Sequence, residues 1–243
     1  EREAVKAELV VQEVLRIRRV QKQIGVKKLH HMLEDMRAEH GIKMGRDRLG
    51  SVLRDEGLLV RRRRTRKPRT TISSPWKRYP NLIRDIMPYR PDQIWVSDIT
   101  YVRVGDGFAY LSLITDAYSR KIVGYHLGRD MSARICIKAL RMALRNCPAR
   151  QGLIHHSDRG LQYSSAAYVK LLGRIRISMT EKSDPLENAI AERVNGILKN
   201  ELIAKSFESF TEARVGIGEA VDIYNNLRPH LSVDMLTPAE AHA

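Results

Sequence analysis

Three acidic residues carry the chemistry that this sequence suggests. Asp98 stands within "IWVSDITYVRV", the lone charge on the strand face it shares with Ile94, Val96, Thr100, Val102 and Val104. Asp158 closes the strand-like "IHHSDRG", and Glu192 lies in "ENAIAERVNGILKNEL". An ionised carboxylate in apolar surroundings costs several kcal/mol unless a cation, hydrogen bonds or a metal ion compensates it. Taken singly, each has an ordinary explanation: Asp98 paired with Arg103 or Lys121, Asp158 as a helix N-cap, Glu192 as a surface residue. Brought together, they would raise one another's pKa. Two Mg²⁺ (or Mn²⁺) ions roughly 3.5–4 Å apart would neutralise them and support in-line displacement at phosphorus. Hard oxygen ligands suit Mg²⁺, which completes its shell with waters and substrate phosphate.

The elements that must position these groups follow from the pattern of the chain. "QIWVSDITYVRV" predicts a first strand, Gly105-Asp106-Gly107 a hairpin turn, "FAYLSLITDAY" a second strand and "KIVGYHLG" a third. A helix over "SARICIKALRMALRNC", a strand at "GLIHHSD", a helix over "SSAAYVKLLGR", a strand at "IRISMT" and a helix from about Leu186 to Leu202 complete the series. That order predicts an α/β, ribonuclease H-like (retroviral integrase-like) core with a mixed five-stranded sheet. In that fold the first and fourth strands are neighbours and the last helix packs over them, so the three carboxylates can converge. In the last helix Asn188, Glu192, Asn195 and Lys199 recur at helical spacing on one face, while Ile190, Val194, Ile197 and Leu198 cover the other.

Ahead of the core, "AVKAELVVQEVLRIRRVQK" reads as a charged helix. Val26, Leu29, Leu33 and Met36 form a second helical stripe that Gly41 can end, and "GRDRLGSVLRDEG" supplies a short helix with Leu49, Val52 and Leu53 inward. This predicts a small helical, helix-turn-helix-like module with Lys27, Lys28, Arg46 and Arg48 exposed, although a plain helical hairpin has the same pattern. The run "RRRRTRKPRT" follows, with Arg61, Arg62, Arg63, Arg64, Arg66, Lys67 and Arg69. So dense a like charge cannot enter a core and suits phosphates, or serves as a solvated linker. The expected division is therefore 1–60 helical DNA-binding region, 61–87 basic arm, 88–205 catalytic core and 206–243 helical tail.

Charge is distributed accordingly. The chain of 243 residues has a formal net charge of +15, yet residues 1–90 hold 24 Lys/Arg against 11 Asp/Glu and the remainder 19 against 17. A cationic amino-terminal part joined to a nearly neutral remainder points to nucleic acid as partner. An apolar run near 18 residues is absent from the sequence, which disfavours a membrane span. The two cysteines, Cys136 and Cys147, form no CxxC pair and fit a reducing cytoplasm. The chain opens with Glu1 instead of Met, pointing to a processed, truncated or fused product.

Together "WVSDITYV", "LITDAYSRKIVGY", "HSDRGLQYSS", "SMT", "ENAIAERVNGILKNEL" and "YNNLRPHLSVDMLTPAEA" resemble the transposases of the insertion sequence 3 family, the second reading-frame product with its integrase catalytic core. "KKLHHMLEDMRAEHGIKMGRDRLGSVLRDEGLLVRRRR" is similar to the helix-turn-helix-like segment that precedes that core. The resemblance implies a DDE site with Asp98, Asp158 and Glu192 as metal ligands, cleavage at the ends of the element, attack of the freed 3′-hydroxyl on a phosphodiester, and a circular intermediate. It further implies a bacterial, nucleoid-associated protein acting on terminal inverted repeats and target DNA. It implies a homo-oligomer that synapses two ends and partnership with the upstream reading-frame product. Two features depart from the family pattern. Asp158 and Glu192 are 34 positions apart, shorter than usual by two, and Glu187 stands where Asp is common, which makes it a rival ligand. Glu192 is preferred because it matches the family's "AE" element and shares a face with Asn188, Asn195 and Lys199.

Lesser candidates surround these. Gln162, Tyr163, Asn188 and Lys199 are expected to hold DNA near the metals, with Lys199 the best phosphate ligand. Asp116 is expected to pair with Arg120 or cap the turn at Ser119. His155 and His156 invite a zinc reading, but neighbouring strand residues point to opposite faces and no cysteines accompany them. Two rivals to a transposase are a DNA-binding protein with an impaired core, acting as repressor or subunit, and a ribonuclease H-like nuclease.

Overall fold

The computed structural model describes residues 2–60, 79–147, 151–181 and 188–243. The expected basic contacts Arg61, Arg62, Arg63, Arg64, Arg66, Lys67 and Arg69, and the rival ligand Glu187, lie outside them.

Four helices open the chain: α1 (Arg2–Val20), α2 (Val26–Met32), α3 (Glu34–Glu39) and α4 (Arg46–Asp55). The predicted second helix is divided, because Leu33 leaves the helical range at φ −90° and ψ 3°; Gly41 ends the following piece at φ +58°. Val10, Val14, Ile24, Leu29, Leu33, Leu49 and Leu53 bury a core of their own. The apolar stripes of α2 and α4, helices too short to be stable alone, thus find partners in each other and in the longer α1.

The sheet is built from β1 (Ile94–Val104), β2 (Gly107–Asp116), β3 (Ile122–Gly128), β4 (Ile154–Ser157) and β5 (Arg176–Met179), in the order β3-β2-β1-β4-β5. The first three strands run antiparallel, and β4 and β5 run parallel to β1. Gly105 takes φ +54° in the two-residue β1–β2 loop, the left-handed value that primed hairpin turns require. The mixed five-stranded sheet predicted from element order is present, with β1 beside β4 as expected.

Both faces of the sheet are covered. On one lie α5 (Ala133–Arg145), α6 (Leu161–Ser164) and α7 (Ala166–Leu172), whose Cys136, Leu140, Tyr163 and Tyr168 share a core with Trp95 and Ile114. α5 sits hard against β3: a Cβ at Gly124 would lie 2.3 Å from the Ala139 carbonyl oxygen. The single helix predicted over "SSAAYVKLLGR" is preceded by a separate short one, since Ser165 adopts extended φ and ψ between the two. On the opposite face lie α8 (Ala189–Ile197) and α9 (Phe210–Asn226), which bury Val194, Ile197, Ile217 and Tyr224 against Leu111 and Leu113. α8 does not run on to Leu202 as an α-helix. It widens into a π turn over Leu198–Leu202, where the Ile203 amide donates to the Leu198 carbonyl at 2.9 Å.

Candidate active site

β1 carries Asp98 at its centre, β4 delivers Asp158 one residue past its C-terminal end, and α8 brings Glu192 over the sheet. The parallel pairing of β1 with β4, Ser97 opposite Ser157, fixes the first two on one side of the molecule. Asp158 is held by the Gly160 amide, which donates to Oδ1 at 2.9 Å. A Cβ at Gly160 would stand 2.9 Å from that same oxygen, so glycine is what allows the approach.

Two asparagines bracket Glu192. Asn188 Nδ2 donates to the Ser97 carbonyl at 3.1 Å, and Asn195 Nδ2 donates to Asp98 Oδ2 at 2.6 Å. The polar face of α8 is therefore turned onto β1, with Asn188 and Asn195 buried and Lys199 exposed. Asn195 is a site residue whose task the sequence reading did not define, although its place three residues after Glu192 was the available signal. Asp98 Oδ1 accepts the Ile99 amide at 2.9 Å. Neither Arg103 nor Lys121 serves it: Arg103 lies over the Phe108 ring at 5.5 Å.

Electrostatics distinguish Asp98. Burial pushes its carboxyl up to about 7, the charge of Asp158 adds to the rise, the Ile99 and Asn195 hydrogen bonds oppose it, and Glu192 contributes a further repulsion. Asp158 is likewise raised by burial, against the Gly160 hydrogen bond. An acidic cluster of oxygen donors that raises its own carboxyls fits a hard divalent cation.

Several expected contacts lie elsewhere. Tyr163 is interior, only 2% exposed, with its ring 5.5 Å from that of Tyr168, so burial removes it from any DNA surface. Asn188 is spent on Ser97, and Gln162 Nε2 donates to the Met131 carbonyl at 2.9 Å. Arg46 and Arg48 are exposed on α4, Arg46 within 3.0 Å of Asp47. Lys28, expected exposed, instead faces Glu201.

His155 and His156 point apart as predicted. His155 Nε2 lies 2.7 Å from Ser97 Oγ and 2.9 Å from Tyr168 Oη, and burial, then His156, drives its pKa down to about 3. A neutral imidazole thus braces β1, β4 and α7 beneath the carboxylates. His156, fully buried, meets Ser178 of β5 at 2.8 Å.

Among the described residues a second cluster, Asp92, Asp116 and His242, has ligand atoms within 4.8 Å of one another. Asp98, Asp158 and Glu192 do not form so tight a trio. Asp116 Oδ1 accepts from the Tyr118 and Ser119 amides and the Ser119 hydroxyl, and Oδ2 from the Asp92 amide. Its lone pairs are already used, so this cluster is a structural clamp that pins the chain end; the expected cap at Ser119 is present.

The integrase core domain model matches residues 88–185, and a second model of the same description matches residues 173–238. The chain is 37% identical to the insertion element IS600 uncharacterized 31 kDa protein of Shigella sonnei, over 83% of this chain and 76% of that one. It is 35% identical to the transposase for insertion sequence element IS629 of Shigella sonnei, over 89% and 73%. To transposase InsF for insertion sequence IS3A of Escherichia coli K12 it is 31% identical, over 86% and 74%. The HTLV-2 integrase catalytic core domain in complex with magnesium shares the fold, with a TM-score of 0.51 and 19% identity over 63% of this chain and 98% of that one. The chain belongs to the DDE-type DNA transposases of the insertion sequence 3 family, with an integrase core.

Proposed function

We propose that Asp98, Asp158 and Glu192 are the catalytic carboxylates of this transposase, and that they hold two divalent ions, Mg²⁺ or Mn²⁺, while an element end is cut and joined. The observation that carries this reading is the state of Asp98. It sits at the centre of the sheet with its carboxyl pushed up to about 7, flanked by two further carboxylates. Carboxylates raised by burial and by one another cluster at functional sites, where a bound cation relieves them. When bound, a pair of such ions activates the attacking oxygen and stabilises the leaving one.

The chain's own residues supply position. Asn195 holds one oxygen of Asp98 and the Ile99 amide the other, which fixes the carboxyl within reach of the charges of Asp158 and Glu192. Gly160 orients Asp158, and Asn188 anchors the start of α8. In this reading the nucleophile is first water, cutting at the element end, and then the freed 3′-hydroxyl, attacking a phosphodiester. Joining one end to the other on the same strand gives a circular intermediate that later integrates. Lys199, exposed one helical turn beyond Asn195, is the phosphate contact on the catalytic helix. Lys27, Arg46 and Arg48 on the helical module, with the basic run from Arg61 to Arg69, bind the terminal repeats.

The protein acts as an oligomer that synapses two ends, with the upstream reading-frame product as partner or fusion, on nucleoid DNA. Among the described residues no helix is long and apolar enough to cross a membrane. The test is incubation with duplex oligonucleotides carrying the element's ends and Mg²⁺ or Mn²⁺. Cleavage and joining are expected, both lost in Asp98→Asn and Glu192→Gln. Activity surviving either substitution overturns the assignment, and unselective cutting of RNA–DNA hybrids favours a nuclease.

A further inference from the structure

The π turn that continues α8 presents one carboxylate, Glu201, to cations from two distant parts of the chain. Arg228, in the "LRPH" segment after α9, donates from Nε and Nη2 to Glu201 Oε2 at 3.0 and 2.7 Å. Lys28 of α2 places Nζ 4.0 Å from the same oxygen. All three side chains are largely withdrawn from solvent, with exposures of 2% for Arg228, 12% for Lys28 and 19% for Glu201. A second tie lies alongside, where buried Gln21 at the end of α1 donates from Nε2 to the Leu227 carbonyl at 3.0 Å.

Such a network is a poor source of net stability, because desolvating the charges offsets most of their attraction, but it is strict about geometry. Here the geometry concerns α8. Asn188 and Asn195 fix its start and middle to β1. Glu201 is what fixes its continuation, and it does so on groups that belong to the tail and to the helical module. The module's exposed cations, Lys27, Arg46 and Arg48, lie on the same small core as Lys28.

We infer that Glu201 is a positioning residue for the catalytic helix, locked by Arg228, and that Lys28 couples it to the helical module, so that a bound DNA end aligns Glu192. This rests on the function proposed above. Because coupling is reciprocal, an end seated on the module and an ion seated on the carboxylates should strengthen each other.

Two variants of the full chain test it, with Mn²⁺ as the ion and two duplex probes: one carrying the DNA that flanks the coding sequence, one scrambled. Lys28→Met keeps Arg228 on Glu201. It should cut the scrambled duplex as the wild type does while the preference for the end duplex falls about fivefold. Glu201→Gln should lower cleavage of both duplexes, and raise the Mn²⁺ concentration for half-maximal effect, each about tenfold. In the double variant Lys28→Met should add nothing to Glu201→Gln. An unchanged preference in Lys28→Met, or additive effects in the double variant, overturns the coupling. Mn²⁺ titration followed by thermal melting reads ion binding without cleavage, so Glu201→Gln with wild-type Mn²⁺ affinity overturns the positioning role even if neither duplex is cut. Failure of the wild type to cut the end duplex counts instead against the proposed function.

Discussion

Asp98 and Asp116 lie on paired strands of one sheet and meet opposite treatment. Asp116 is fully buried, and burial alone would raise its carboxyl. The His242, Ser119 and Asp92 groups around it outweigh that and hold it below the usual carboxylate range. Asp98 receives one backbone amide and one asparagine amide, faces two carboxylates, and ends near 7. A carboxylate that serves the fold is saturated by the fold's own donors. Asp98 is left with fewer of them, and in the proposed function that deficit is the place for an ion.

Substitutions at the two positions should therefore have opposite signs. Asp98→Asn is expected to lower end cleavage by about a thousandfold or more while leaving the fold intact. Asp116→Asn should do the reverse. It leaves buried donors facing a weaker acceptor and costs about 3 kcal/mol of stability, read by denaturant unfolding, with cleavage at permissive temperature retained. Loss of cleavage in a folded Asp116→Asn protein would instead assign catalysis to the second cluster.

Between these extremes stands Asn195, a fold residue that touches the proposed catalytic Asp98. Asn195→Ala should lower metal affinity and cleavage about tenfold, with the deficit partly recovered at high Mn²⁺. Equal loss at all Mn²⁺ concentrations would mean that it acts elsewhere.

The comparison also predicts a pH signature. Because the folded carboxyl of Asp98 titrates near 7 and an unfolded one near 3.8, the folded protein holds a proton that the unfolded chain has released across that window. Stability of the metal-free protein contributed at this site therefore falls as pH rises from about 4 to about 7, by roughly 4 kcal/mol. Asp98→Asn should flatten that decline, and saturating Mg²⁺ should reverse it above pH 7. Asp116 contributes in the other sense, with stability present above the unfolded pKa and lost as pH falls through its depressed folded value. A metal-free melting curve with no decline toward pH 7 would remove the distinction between the two carboxyls. The smallest effect is expected at Lys199. Lys199→Ala should weaken binding of every duplex alike and reduce the salt slope of DNA affinity by about one.

Much of this was legible in the chain. Alternation in "QIWVSDITYVRV", the glycine turn after it and the change from strand to helical periodicity after Gly128 specify local structure through side-chain sterics and apolar pattern, which do not need distant partners. The order of elements then limits how the sheet can close, and β1 beside β4 follows. The acidic residues could be found because a charge is conspicuous on an apolar strand face. What resisted reading were groups whose surroundings come from far along the chain. Asn188 and Tyr163 have the composition of DNA contacts, yet one is bonded to Ser97, 91 residues away, and the other is buried among aromatic rings. Lys28 reads as surface charge until Glu201 is folded against it.

By itself, then, the sequence determined the residue types able to do phosphoryl transfer, the strands and helices that carry them, and the concentration of positive charge in the front third. Periodicity and composition are properties of neighbours along the chain. Only the tertiary structure decided that Asn195 holds Asp98, that Asp116 is satisfied and Asp98 is not, and that Arg228 and Lys28 close on one oxygen of Glu201. Desolvation and hydrogen bonding depend on which groups meet across the fold, and those meetings set the energy of a buried charge.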